Sequence, residues 1–98
     1  MTTDPGTDAT TVEEIAAAVL RSPAVARLHG GRFGAITSCL PGRQVVGVTV
    51  TPSEITVGVV GRYPATVAQI AVQVREAVTA VVPGVAVTVA VGDIDIDD

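Results

Sequence analysis

The sequence has no lysine and no tryptophan, and it contains one histidine, one cysteine, one phenylalanine and one tyrosine among 98 residues. All six basic residues are scattered arginines, and ten acidic residues give a net charge of -4. Proteins that bind nucleic acid normally cluster basic side chains to displace phosphate counterions, and anionic membrane surfaces attract the same clusters. The composition therefore argues against direct binding to either of these partners.

A single cysteine excludes a disulfide within the chain. Small secreted domains are commonly stabilised by disulfides, so a reducing, cytoplasmic compartment is favoured. Residues 1–10 are polar and acidic, without the apolar segment of a signal peptide, and are predicted to be a disordered leader. No uninterrupted apolar run is long enough to span a bilayer, so recruitment to a membrane would need a partner.

Two helices are predicted from apolar periodicity and capping residues. The first covers residues 11–21 and starts at a capping box formed by Thr11 and Glu14. Ser22-Pro23 is interpreted as a restart of this helix, which continues through Leu28 and ends at His29-Gly30-Gly31. The second helix is predicted over residues 67–82, with Thr66 as its N-cap.

Strands are indicated by the twenty valines, which alternate with small residues in several segments. A turn at residues 51–54, with Pro52 at its second position, predicts a hairpin between the second and third strands. The predicted strands are residues 34–40 (weakly patterned), 44–51, 55–60 and 85–91.

The element order α-β-β-β-α-β predicts an α+β fold: a two-layer sandwich with both helices on one face of a small mixed sheet of three to four strands. We expect one domain over residues 11–94 and an acidic tail over 95–98. The sheet face away from the helices would display small, uncharged residues: Gly47, Thr49, Thr56, Gly58, Val60, Ala86, Thr88 and Ala90. That face is interpreted with equal weight as solvated or as a packing surface.

Few residues could support chemistry. Cys39 and His29 could form a nucleophile and its base, but no third orienting residue is recognisable, and a zinc site lacks ligands. Residues 31–34 match the GxxG loop of KH domains, although a turn after a helix is the favoured interpretation. The acidic residues 93–98 lack the spacing of a calcium loop, so a solvated strand extension or a frayed acidic tail is expected. We predict no catalytic, cofactor or metal site.

Several segments together resemble the alkaline-shock-protein family of envelope stress-response proteins, in its short actinobacterial form. The resemblance covers residues 12–94. The similar segments are residues 22–31 (SPAVARLHGG), 57–63 (VGVVGRY), the helix 67–78 (VAQIAVQVREAV), 87–94 (VTVAVGDI) and the insertion 40–43 (LPGR). Two departures are Pro64, where members often have glycine, and the lack of lysine-rich features.

The resemblance implies a non-enzymatic cytoplasmic protein that self-associates and gathers at the inner membrane surface through a small membrane-anchoring protein. We therefore expect a scaffold that forms homo-oligomers or binds a partner. Alternatives are a KH-like module for single-stranded nucleic acid, a regulatory subunit of a metabolic enzyme, and an enzyme using Cys39 and His29. The candidate partner-binding residues are Thr49, Thr56 and Thr88 on the outer sheet face, Arg32, Arg43 and Arg62 in loops, and Tyr63 beside Arg62.

Overall fold

The computed structural model describes residues 9–31 and 34–96, which form two helices and six strands in an α+β fold. The helices are α1 (Ala9–Leu20) and α2 (Val67–Val81). The strands are β1 (Val25–Leu28), β2 (Thr37–Leu40), β3 (Arg43–Val46), β4 (Val48–Val50), β5 (Glu54–Arg62) and β6 (Ala86–Asp95).

The main sheet is built around β5, the nine-residue central strand. On one side, β4 pairs antiparallel with the first half of β5 and β1 pairs antiparallel with its second half. On the other side, β6 runs parallel to β5 over its whole length. The sheet is therefore mixed, as predicted, and α2 is the crossover between its two parallel strands.

The segment after Ser22-Pro23 is a strand and not the restarted helix that the sequence suggested. Val25–Leu28 is only four residues long, too short for its pattern to separate a helix from a strand. The tertiary structure decides the outcome, because β4 covers β5 only as far as Val57 and leaves the rest of that edge unpaired. Pairing with β1 satisfies the backbone groups of β5 from Val59 to Gly61.

The single strand predicted over residues 44–51 is divided at Gly47. This glycine has a φ of 98°, a left-handed conformation that side chains disfavour, and it turns the chain from β3 into β4. β3 pairs with β2 in a separate two-stranded sheet that turns at residues 41–42. The predicted hairpin between residues 44–51 and 55–60 is confirmed only for β4 and β5, with Val50 opposite Ile55.

The core lies between the helices and one face of β5. Ile55, Val57 and Val59 alternate along β5 and are fully buried. They join one apolar cluster with side chains from both helices, which places α1 and α2 on the same face of the sheet, as predicted. The fully buried helical side chains of this cluster are Val12, Ile15, Val19, Ile70, Val74 and Val78.

Of the two predicted helix starts, the structure contradicts the first and confirms the second. α1 begins at Ala9, so Thr11 lies inside the helix and the capping box predicted there is wrong; residues 9 and 10 also belong to the helix and not to a leader. The remaining leader residues, 1–8, lie outside the described residues. Thr66 caps α2 as predicted: Oγ1 accepts from the Gln69 amide at 3.1 Å, and Gln69 Oε1 accepts from the Thr66 amide at 2.8 Å.

Replacing Thr66 with alanine is expected to lower the free energy of unfolding by about 1 kcal/mol, because it leaves an amide at the helix start without its acceptor. Urea denaturation would measure the change. The matched control is Thr79→Ala, at an exposed position inside the same helix, which is expected to be neutral or slightly stabilising. Equal losses in both variants would contradict the cap.

Candidate interaction surface

The three threonines predicted on the outer sheet face form a row across three strands. Thr49 on β4 lies opposite Thr56 on β5, and Thr56 lies opposite Thr88 on β6. Thr88 is exposed, and its hydroxyl donates to Glu54 Oε2 at 2.6 Å. The row is a narrow polar strip. Its charged neighbour on β5 is Glu54, which accepts the hydrogen bond from Thr88.

The outer face is not open along its whole length. Next to the threonine row, Gly58 lies under the chain after β1: its amide donates to Gly47 O at 2.9 Å, and its carbonyl accepts from the His29 amide at 2.8 Å. The Ile36 side chain also lies over Gly58, and Val60 is fully buried. The expectation that Gly47, Gly58 and Val60 would be displayed is therefore wrong, because His29 and Ile36 lie over this part.

Arg62 and Tyr63 lie where β5 ends, and Tyr63 is 60% exposed. A shallow groove of about 380 Å³ separates this strand exit from the first turns of α2. Its floor is held by two hydrogen bonds. The Arg62 amide donates to Ala24 O at 2.8 Å, and the Ala24 amide donates to Gln73 Oε1 at 2.9 Å. The groove places Arg62 and Tyr63 together, at the opposite end of β5 from the threonine row.

Two of the arginines expected in loops lie in strands instead, and one of them, Arg62, is the last residue of β5. Arg43 is the first residue of β3, in the separate hairpin, and Arg32 lies outside the described residues. An arginine that was not singled out, Arg27 on β1, forms an ion pair with Asp95 at the end of β6. The pair spans the outer face above β5. At 58% exposure of Arg27, it is expected to contribute less than about 1 kcal/mol.

His29 and Cys39 make separate contacts. His29 Nδ1 accepts from the Gly31 amide at 2.9 Å, and its ring lies against Gly92. Cys39 is exposed on β2, and its Sγ accepts from Gln44 Nε2 at 3.8 Å. The hydrogen-bond partner of each side chain is thus a near neighbour in the sequence.

The glycine-rich segment begins after a strand, not after the predicted helix. The Gly34 amide donates to Gly31 O at 3.3 Å, which closes the expected tight turn; the two residues between them lie outside the described residues. The acidic segment is also part of the sheet, since β6 reaches Asp95. Across residues 9–31 and 34–96, no group of three or more histidine, cysteine, aspartate or glutamate side chains is arranged to hold a metal ion.

The outer edge of β6 is a candidate interaction surface that was not predicted from the sequence. This ten-residue strand pairs with β5 on one side, and no strand in the described part of the chain pairs with its other side. Residues 86–92 of this edge contain no charged residue and no proline. The sequence shows that this strand is alternating and uncharged, but which of its edges is paired depends on the order of strands in the sheet.

Comparison with known proteins gives no match to a family model, a curated protein or a solved structure. None of the helices in the described part of the chain combines the length and the hydrophobicity needed to cross a membrane.

Proposed function

We propose that this chain is a non-catalytic scaffold of the envelope stress response, which self-associates and gathers at the cytoplasmic side of the membrane through a membrane-anchoring partner. The observation that carries the scaffold role is the unpaired edge of β6. The link to envelope stress and to the membrane rests on the resemblance to alkaline-shock proteins in residues 12–94.

An unpaired strand edge offers a row of backbone donors and acceptors to another chain. Proteins that stay monomeric usually protect such edges with lysine, proline, a bulge or a covering loop. Within the part of the chain that the structure describes, residues 86–91 of β6 have none of these devices, and the bulge of the strand comes at Gly92, followed by Asp93. The edge is protected at its carboxyl end and open over its first six residues, which supports association through strand pairing.

The charge of the chain favours recruitment to the membrane through a partner protein over direct binding to lipid. The net charge of -4 and the scattered arginines give little attraction to anionic lipid. Two surfaces are available to an extended segment of an anchoring protein. One is the edge of β6, where the segment would pair as a strand, and the other is the groove beside Arg62 and Tyr63. A scaffold of this type needs surfaces for contact and no reacting group.

Self-association is tested by the molar mass of the purified protein, measured by light scattering over a wide concentration range at low and at high salt. We expect a mass that climbs with concentration and changes little with salt, because the open edge carries no charge over residues 86–92. A monomer mass at every concentration would overturn the proposal of a self-associating scaffold. Dissociation by salt would move the contact to the arginine-bearing surfaces.

A further inference from the structure

The unpaired edge of β6 is complementary to itself. Read in either direction, residues 87–91 place valine at the two ends and at the centre, with a small residue at each position between them. In an antiparallel pair, residues directly opposite each other point to the same face of the sheet. If Val89 lies opposite Val89 of a second copy, then Val87 lies opposite Val91 and Thr88 lies opposite Ala90.

The helix-side face of β6 has apolar area left to bury. Val87, Val89 and Val91 lie opposite Ile55, Val57 and Val59, yet they are only half-buried, whereas those β5 side chains are fully buried. α2 therefore does not close over the edge. A neighbouring strand with its valines on the same face would cover the remaining apolar area and continue the core from one copy into the next.

Charge and the bulge exclude registers that are shifted toward the carboxyl end of β6. With Val89 at the centre, the whole uncharged segment 86–92 pairs with itself, and Asp93 falls opposite Val85, outside the partner strand. A shift toward the carboxyl end would bring Asp93 opposite helix-side valines. Asp93 follows the bulge and lies on the outer face, opposite Val60, so the two faces would no longer match. Further shifting would bring Asp93 of the two copies together, which like charges disfavour.

We propose that a second copy of this chain docks on the β6 edge, in an antiparallel pair centred on Val89, to form one continuous sheet with all helices on the same face. This inference rests on the proposed self-association and names its surface. A short strand pair buries less area than the roughly 1,200 Å² of a stable interface, so the dimer is expected to be weak and concentration-dependent.

Disulfide trapping tests both the edge and the register. In a Cys39→Ser background, which removes the exposed native thiol, Thr88→Cys and Ala90→Cys variants are mixed in equal amounts and oxidised. Intact-mass spectrometry separates the three possible disulfide dimers. We expect the mixed Thr88–Ala90 dimer to outnumber the two like dimers together several-fold, whereas random pairing would give equal amounts, because those positions lie directly opposite each other in the proposed pair.

The control is Thr49→Cys in the same background. Thr49 lies in the same row as Thr88 but on β4, so two copies paired through β6 would hold their Thr49 positions about 24 Å apart, across five strand spacings. We expect no trapped dimer from this variant.

The outcomes separate this inference from the proposed function. A mass that climbs with concentration, without trapping at positions 88 and 90, would overturn the β6 edge and leave the scaffold standing. Trapping of Thr49→Cys would move the contact to β4, and an excess of Thr88–Thr88 dimers would overturn the register. A monomer mass throughout would overturn the proposed self-association itself.

Discussion

Replacing Gly58 with alanine is expected to lower the free energy of unfolding by about 2–4 kcal/mol. A Cβ at this position would lie 2.1 Å from the carbonyl oxygen of His29. That oxygen belongs to the backbone, so it cannot move aside by a change of rotamer. The chain between β1 and β2 would have to shift as a unit.

Gly58 occupies the point where two strands meet on the edge of β5. Its amide donates to Gly47, just before β4, and its carbonyl accepts from His29, just after β1. Displacing His29 would therefore weaken this hydrogen bond and lift Ile36, whose Cδ1 atom would lie 3.0 Å from the new methyl group. We expect the loss to show as a lower urea midpoint and as faster amide exchange in β1.

Gly61→Ala is the matched control on the same strand. Its Cβ would also lie 2.1 Å from a neighbour, but that neighbour is Ile70 Cδ1, the end of a flexible side chain on α2. Since Ile70 can change its rotamer, we expect a loss of about 1–2 kcal/mol, smaller than for Gly58→Ala. A Gly58→Ala variant as stable as the natural chain would mean that His29 and Ile36 do not lie against Gly58.

The elements that could be predicted from the sequence are those whose signals are local and long. α2 has fifteen residues of helical periodicity and its own capping threonine, and the turn with Pro52 joins two alternating segments. The short segment Val25–Leu28 gives no such signal. Its conformation depends on the unpaired half of β5, which lies more than thirty residues further along the chain.

The candidate surface could also be predicted only in part. The threonine row follows from the alternation of the strands, so Thr49, Thr56 and Thr88 could be placed on one face before their register was known. What covers that face could not be predicted, because it depends on the φ of 98° at Gly47 and on where His29 and Ile36 lie. The open edge of β6 likewise appears only when the order of strands in the sheet is known.

Truncating Ile70 to alanine is expected to lower the free energy of unfolding by about 2–5 kcal/mol. Ile70 is fully buried, belongs to the single core cluster and packs against Gly61 of the central strand. Alanine would remove three carbon atoms from a core that has few large side chains, since only 2% of the residues are aromatic. Surrounding valines are stiff at χ1, so they can fill the resulting cavity only in part.

Val72→Ala is the control on the same helix, because Val72 is 52% exposed and alanine is the better helix former. We expect it to change stability by less than about 0.5 kcal/mol. Urea denaturation of both variants at the same protein concentration separates core packing from any contribution of self-association. If Ile70→Ala lost no more than Val72→Ala, α2 could not be packed on β5 through Ile70. The face of the sheet that α2 covers, and with it the proposed accessibility of the β6 edge, would then have to be assigned again.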